Sequence, residues 1–345
     1  MANIEGGQVP AETQQVVLVR DVGATIQTDD FEVRSAPVRP PEEGEVVVRN
    51  LVTSVDPYHL RLLRGGQGHG NQLIGQPLMS NCVGLVVASR DERAPVGTQV
   101  ATYSGWTEYA TLRLEDNDLA DPDMGDERDW IQTLGTPGVT ALIGLRDVAR
   151  LQGGEVVAIS GAAGAVGGVA VQVAKAAGAR VISIAGGPSR VRHTVDTLGA
   201  DLGLDYTSPD FDEQLAQASA GGIDIFFDNV GGKLLERMIG HLGTHGRAVI
   251  SGTISTYAGG SDNGITIDTA DLLLERKIVQ AFNVGDHYAA SLLPARETLA
   301  AGIRNGSIKT VVTEYDGLGS APEALAAVFR SGSGDVGKRI VRIGY

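Results

Sequence analysis

The chain has 345 residues, with 28 Lys and Arg against 42 Asp and Glu and a formal charge of −14. That length fits roughly two domains, and 42% hydrophobic with 20% charged residues gives ample material for a packed core, which excludes wholesale disorder. A calculated pI near 4.8 argues against holding nucleic acid or an anionic membrane by bulk charge, so neither is expected as a partner.

The opening MANIEGGQVPAETQQ has no basic patch followed by an apolar run. It does not read as a secretory signal, and a cytoplasmic protein is expected. Residues before about Gln15 are small and polar and predict a loosely held tail. From Val16 to about Arg113 the signals are short and β-rich: VVLVR, EVVVRNLVTSVDP, CVGLVVAS, TQVATY and WTEYATL. Such spacing predicts a compact β-barrel-like unit. Within it lies Cys82, the only cysteine; it forms no intrachain disulfide and builds no cysteine-based zinc site, so it reads as a small buried hydrophobe. An acidic, turn-rich connector runs from Glu115 to Asp129.

After the connector the pattern changes to alternating helices and strands. A helical stretch from Pro137 to Leu151 leads to the strand EVVAIS, a glycine-rich turn and the helix AVGGVAVQVAKAAG. The strand ARVISIA, a helix over about Ser189–Leu198, the strand LGLDY and a helix near Phe211–Ala220 follow. Then come the strand IDIFFDNV, a helix over about Lys233–Leu242, the strands GRAVISG and KIVQAF, and a helix over Tyr288–Arg304. Nearly all-apolar strands alternating with helices imply a parallel sheet buried on both faces. The tail returns to the strands VVTEY and KRIVRI around the helix APEALAAVFRSG, and pattern alone assigns it to neither half. The longest uncharged stretch, Val156–Ala174, carries four glycines and is a poor membrane span.

The turn Gly161-Ala162-Ala163-Gly164-Ala165-Val166-Gly167-Gly168 follows a strand and opens a helix, the context a dinucleotide fingerprint requires. Gly164 lets the backbone approach a pyrophosphate and Gly167 lets the helix pack on the strand. Ala165, Val166 and Gly167 begin a helix whose N-terminus offers free N–H groups and a positive dipole end. An NAD site usually carries an acid about 20 residues on, at the end of the second strand. This chain has Ala185-Gly186-Gly187-Pro188-Ser189-Arg190-Val191-Arg192 there. Arg190 suits a 2′-phosphate, which makes NADPH the expected cofactor.

Together RNLVTSVDPY, GWTEY, GTPGVTALIGL, SGAAGAVGG, LGAD, FFDNVGG, GTISTY and GKRIVRI resemble the medium-chain dehydrogenase/reductase superfamily. They look most like its zinc-independent branch of alkenal double-bond reductases and prostaglandin (leukotriene hydroxydehydrogenase) reductases. The resemblance implies an α/β chain with two parts. One is a GroES-like β-barrel catalytic domain over 1–130 and 312–345. The other is a doubly wound, parallel-sheet Rossmann domain over 131–311. It implies NADPH held by Gly164, Gly167, Gly186, Arg190, Tyr206, Asn229 and the segment at Asp335. The family's Asn-x-Gly-Lys reads here Asp335-Val336-Gly337-Lys338, which puts a negative charge where a neutral amide stands and bears against tight NADPH binding. Zinc-dependent members carry Cys, His and Gly-His-Glu ligands where this chain has Ser54, Asp56 and Gln76-Pro77-Leu78. His241 and His245 have metal-compatible spacing but no third ligand beside them, so no metal is expected.

Tyr257, in GTISTY, matches the active-site tyrosine of the double-bond reductases, and Tyr58, in SVDPY, a substrate-facing one. Trp106 is assigned to the substrate pocket wall. The resemblance thus implies NADPH-dependent reduction of an enone or alkenal C=C bond by a homodimer. Adding hydride to an enone builds enolate charge on its oxygen, and a phenol is a neutral donor suited to it. His59-Leu60 replaces the branch's usual Met-Arg and Leu142 its usual aromatic, so the substrate enone is expected to differ from the usual ones. A quinone oxidoreductase and a non-redox cofactor-binding scaffold are the alternatives.

Overall fold

The computed structural model describes residues 9–23, 25–64, 72–115, 118–257, 264–330 and 334–344. The expected N-terminal tail falls partly on residues 1–8, outside these. Nearer Gln15 the expectation is corrected: Glu12 to Gln14 already lie in a strand, paired in register with Pro37, Ala36 and Ser35.

The N-terminal elements are β1 (Glu12–Leu18), β2 (Phe31–Pro37), β3 (Val46–Val55), α1 (His59–Leu63), β4 (Cys82–Ser89), β5 (Gln99–Thr102), β6 (Tyr109–Leu112) and α2 (Glu127–Ile131). Apolar stretches explain β3 and β4, the first mostly and the second half buried; their antiparallel pairing sets Thr53 opposite Cys82. β2 escapes the sequence reading because FEVRSAP buries only its first residue. Its place comes from seven pairings to β1, a tertiary cause. α1 escapes it too, since five residues are too few to show a helical period.

The alternating half runs α3 (Thr136–Ile143), β7 (Val156–Ser160), α4 (Ala165–Ala176), β8 (Arg180–Ala185), α5 (Pro188–Asp196), β9 (Leu202–Asp205), α6 (Phe211–Ala218), β10 (Ile223–Asp228), α7 (Gly232–Gly240), β11 (Leu242–Ile250), α8 (Thr269–Glu275), β12 (Ile278–Ala281) and α9 (Tyr288–Asn305). The strands form a six-stranded sheet in the order β12-β11-β10-β7-β8-β9, and its pairs are parallel. This is the doubly wound order, reversing direction at β7, and such sheets take ligands outside the strand C-termini at the reversal. Ala158, Ile182, Ile184, Phe226 and Ala248 pack in one buried cluster with α6 and α7 side chains. Consecutive residues of β7, β8 and β10 are buried on both faces, which is why these strands are mostly apolar.

Two boundaries differ from the sequence reading. The stretch expected as one helix over Pro137–Leu151 widens after Ile143 into a π turn over Gly144–Val148. β11 starts at Leu242, ahead of GRAVISG, and α7 ends at Gly240.

The chain then adds β13 (Val312–Asp316), α10 (Ala321–Val328) and β14 (Lys338–Arg342). β14 pairs with β3, giving the sheet order β13-β14-β3-β4-β5 with β6 also on β3. By compactness the described residues fall into two units. One gathers those within Met1–Ile131, Thr313–Ser333 and Arg339–Tyr345, the other Gln132–Val312 and Gly334–Lys338. The chain is thus α/β, with a Rossmann-like parallel sheet in one unit and antiparallel sheets in the other. Among the described residues no helix is long and apolar enough to cross a membrane.

Candidate functional site

In the second unit, the turns after β7 and β10 flank the reversal point. Gly164 is the N-cap of α4, in extended conformation, so the N–H groups of Ala165, Val166 and Gly167 have no partner within the helix by geometry. Gly167 is required where it stands: a Cβ there would lie 2.3 Å from the Gly161 carbonyl oxygen. The helix therefore sits directly on the turn, with its positive end over the strand C-termini. An anion of pyrophosphate size suits that donor set.

The second corner is built at the end of β8. Tyr206, 52% exposed, lies so close over Gly186 that its hydroxyl is 2.8 Å from where a Cβ would stand. Asp205, which ends β9, was missed in the sequence reading. Its carboxylate accepts from Gly187 N at 2.9 Å and from Thr207 N and Oγ1 at 2.9 and 2.6 Å. Burial works against its charge, but the bonds from Thr207 and Gly187 outweigh it and hold the carboxyl below its ordinary value. The acid is thus occupied in shaping the turn. An Asp-x-Thr spacing after a strand was the available signal.

Two residues singled out 145 positions apart meet here. Arg190 Nε donates to the Asp335 carbonyl oxygen at 3.0 Å. The segment carrying Asp335 is fixed to the glycine turn: Gly337 N donates to Ala163 O at 2.7 Å, Gly337 bridges Gly164, and Lys338 N donates to Val311 O at 2.9 Å. Gly337 has φ 68°, and a Cβ there would lie 2.0 Å from the Val311 carbonyl oxygen. Gly337→Ala is therefore expected to lower unfolding stability by at least the ~1–3 kcal/mol typical of overpacking. Urea denaturation checks this, and an unshifted midpoint would remove the segment as a structural clamp.

The turn after β10 is held by Asp228. It is fully buried, accepting from Ser160 Oγ at 2.7 Å, Val230 N at 3.0 Å and Gly231 N at 2.9 Å. Burial pushes its carboxyl up against those bonds. Asn229 Nδ2 donates to Ser160 O at 2.8 Å, and Ser251 Oγ donates to Asn229 Oδ1 at 3.2 Å. The next segment latches on: Ser255 N and Oγ both reach Val230 O, at 3.0 and 2.6 Å, and Ile254 N reaches Asn229 O at 3.4 Å. Tyr257 closes this short 3-10 turn, its N–H donating to Ile254 O at 3.1 Å. The latch thus carries Tyr257 from the same strand ends that carry Asn229 and the glycine turn.

Tyr58 and Trp106 belong to the first unit. Tyr58 precedes α1 and its hydroxyl is 2.8 Å from that of Tyr103. Trp106 is fully buried, donating through Nε1 to Ser54 O at 3.2 Å and meeting the His59 ring edge-on at 5.7 Å. With 0% of its surface exposed, Trp106 supports the layer beneath Tyr58 instead of presenting a face to a ligand. Asp56 N donates to His59 Nδ1 at 3.1 Å, and Ser54 Oγ donates to Asp56. Cys82 is buried against Thr53 and the Gly105 carbonyl, and burial pushes its thiol up. His241 is paired with Ser219 at 2.7 Å. Among the described residues no group of three or more His, Cys, Asp and Glu is placed to hold a metal ion.

Comparison with known proteins agrees with this architecture. A family model described as the N-terminal domain of oxidoreductase matches residues 14–119, and one described as zinc-binding dehydrogenase matches residues 165–297. The NADPH-dependent curcumin reductase of Escherichia coli is 30% identical, covering 98% of this chain and 99% of its own. The NADP(+)-dependent 2-alkenal reductase of Nicotiana tabacum is also 30% identical, over 96% and 97%. The crystal structure of CurA in complex with NADPH from Vibrio vulnificus superposes with a TM-score of 0.88 at 29% identity, over 96% and 99% of the two chains. Similarity of that extent across both parts of the molecule settles the family: the chain belongs to the medium-chain dehydrogenases/reductases, in their zinc-independent branch.

Proposed function

We propose that this protein is an NADPH-dependent reductase of the C=C bond of α,β-unsaturated ketones or aldehydes. The observation that carries the reading is Tyr257, latched through Ser255 and Ile254 to the Asn229 turn at the sheet reversal. The relatives that reduce curcumin and 2-alkenals by name support the substrate class. With the reading goes the division of labour: 131–311 for the cofactor, joined by the 334–338 segment that packs with it, and 1–130 with the rest of 312–345 for the substrate.

The residues fit NADPH in three respects. The opening of α4 offers N–H donors suited to the pyrophosphate, Arg190 and Tyr206 would meet the 2′-phosphate, and Asp205, the acid that reaches this corner, is already bonded to Gly187 and Thr207. NADPH supplies the hydride. Asn229, in the turn after β10, would lie near it. The Tyr257 hydroxyl donates to the substrate oxygen as negative charge gathers there, and delivers a proton as the enolate collapses to the saturated carbonyl. Tyr58 orients the carbonyl compound.

Isotope tracing tests this. Deuterium from deuterated NADPH is expected at the β-carbon of the product and solvent deuterium from heavy water at the α-carbon. Label at the carbonyl carbon instead would make the enzyme an alcohol dehydrogenase.

A homodimer is part of the proposal. β12 is an edge strand of the parallel sheet, with Leu273, Leu274 and Ile278 exposed close to it in the chain. Light scattering should give twice the chain mass; a monomer at micromolar concentration would remove it.

A further inference from the structure

Tyr103 lies outside every motif that carries the family resemblance. It follows β5 directly, and its hydroxyl is 2.8 Å from that of Tyr58. The sheet register explains the meeting. Thr53 on β3 and Thr102 on β5 both pair with Cys82, the first residue of β4. The chain leaving β3 and the chain leaving β5 therefore depart from the same end of the sheet, on either side of one residue. Both sides are fixed below the tyrosines. Thr102 Oγ1 donates to Ser104 Oγ at 3.1 Å and Ser104 Oγ to Asn50 Oδ1 at 3.2 Å. On the other side Trp106 and Ser80 hold the Ser54 carbonyl at 3.2 and 2.7 Å.

We propose that Tyr103 is a positioning residue for the reduction, acting through Tyr58 to aim that hydroxyl at the substrate oxygen. The inference rests on the enone-reductase reading and on the place that reading gives Tyr58. A phenol has one proton and accepts through its oxygen. A single bond between two phenols uses one proton, and the accepting phenol keeps its own O–H. When Tyr103 donates, Tyr58 retains a proton to give, its oxygen fixed and its O–H polarised by the bond it accepts. Burial first, then the bond with Tyr58, push the Tyr103 phenol well above its ordinary range. Tyr103 therefore stays protonated wherever the enzyme is assayed. Charge arriving on the substrate oxygen strengthens the Tyr58 bond, so the benefit falls on turnover more than on substrate affinity.

The test is a double-mutant cycle with Tyr103→Phe, Tyr58→Phe and both together, kcat and KM being measured separately on one enone. Tyr103→Phe alone is expected to lower kcat about 3–10-fold, in the range of one hydrogen bond, with NADPH affinity and the thermal midpoint unchanged. In the Tyr58→Phe background the same substitution is expected to do nothing. An equal loss in both backgrounds, or no loss in either, overturns the proposal. A wild-type enzyme that reduces no enone sinks the function reading instead. The cycle is then read on the dissociation constant of a saturated ketone for the NADPH-loaded protein. Background dependence there supports Tyr103, and its absence overturns it.

Discussion

Tyr257→Phe is expected to lower kcat for enone reduction by about 10²–10⁴-fold, the usual contribution of a placed general acid. The part due to charge stabilisation alone is about 2.7–4 kcal/mol for a well-placed donor. The substitution removes one oxygen and keeps the ring. The backbone latch that carries residue 257 is untouched: its own N–H to Ile254 O, the Ser255 bonds to Val230 O, and the Asn229 bonds beneath. NADPH affinity and the unfolding midpoint should therefore stay at wild-type values. KM should move little, because the lost interaction strengthens only as the substrate oxygen gains charge. Steady-state rates with a fixed enone, alongside an NADPH titration, separate these terms. A kcat within threefold of wild type would strip Tyr257 of the role and pass it to another donor, Tyr58 first.

How much of this was legible beforehand follows from the range of the forces involved. The parallel sheet was legible because two-sided burial leaves its mark on the central strands, as in VVAIS and IDIFF. The glycine turn was legible because Gly167 answers to Gly161, six residues away. Local capping would also have found α8, whose Asp268 accepts from Ala270 N and Asp271 N; the sequence reading passed over that signal. What stayed hidden is non-local. β2 is exposed and polar, and exists because β1 pairs with it. Arg190 and Asp335 were each noticed for separate reasons, yet nothing in either neighbourhood says that they touch. Tyr103 became visible only once the register placed Thr102 and Thr53 on the two sides of Cys82. Trp106 illustrates the converse. A motif tryptophan reads as a pocket wall, while its zero exposure and its bond to Ser54 O make it support from behind.

The 2′-phosphate corner yields the second large effect. Arg190→Ala is expected to raise the dissociation constant of NADPH about 10–150-fold and to leave that of NADH within twofold. The interval is the ~1.5–3 kcal/mol of a hydrogen bond to a charged group. The selectivity follows from what the side chain faces. Its Nε donates to the Asp335 carbonyl, and NADPH presents a doubly charged phosphate to a guanidinium, whereas NADH has only a hydroxyl there. The nearest acid in the turn, Asp205, is already bound to Gly187 and Thr207 and does not take over the ribose of NADH. Asp335 supplies the opposite sign. It brings a carboxylate to the residue whose backbone carbonyl Arg190 holds, so Asp335→Asn should tighten NADPH by about 2–5-fold, the ~0.3–1 kcal/mol of an exposed charge interaction, and should do nothing for NADH. Raising the salt concentration should shrink the Asp335→Asn effect first, since exposed charges are screened before close hydrogen-bonded ones. Fluorescence titrations of both nucleotides against the three proteins decide the matter without any turnover. Equal losses for NADPH and NADH in Arg190→Ala would mean that the arginine holds the clamp in place and not the phosphate.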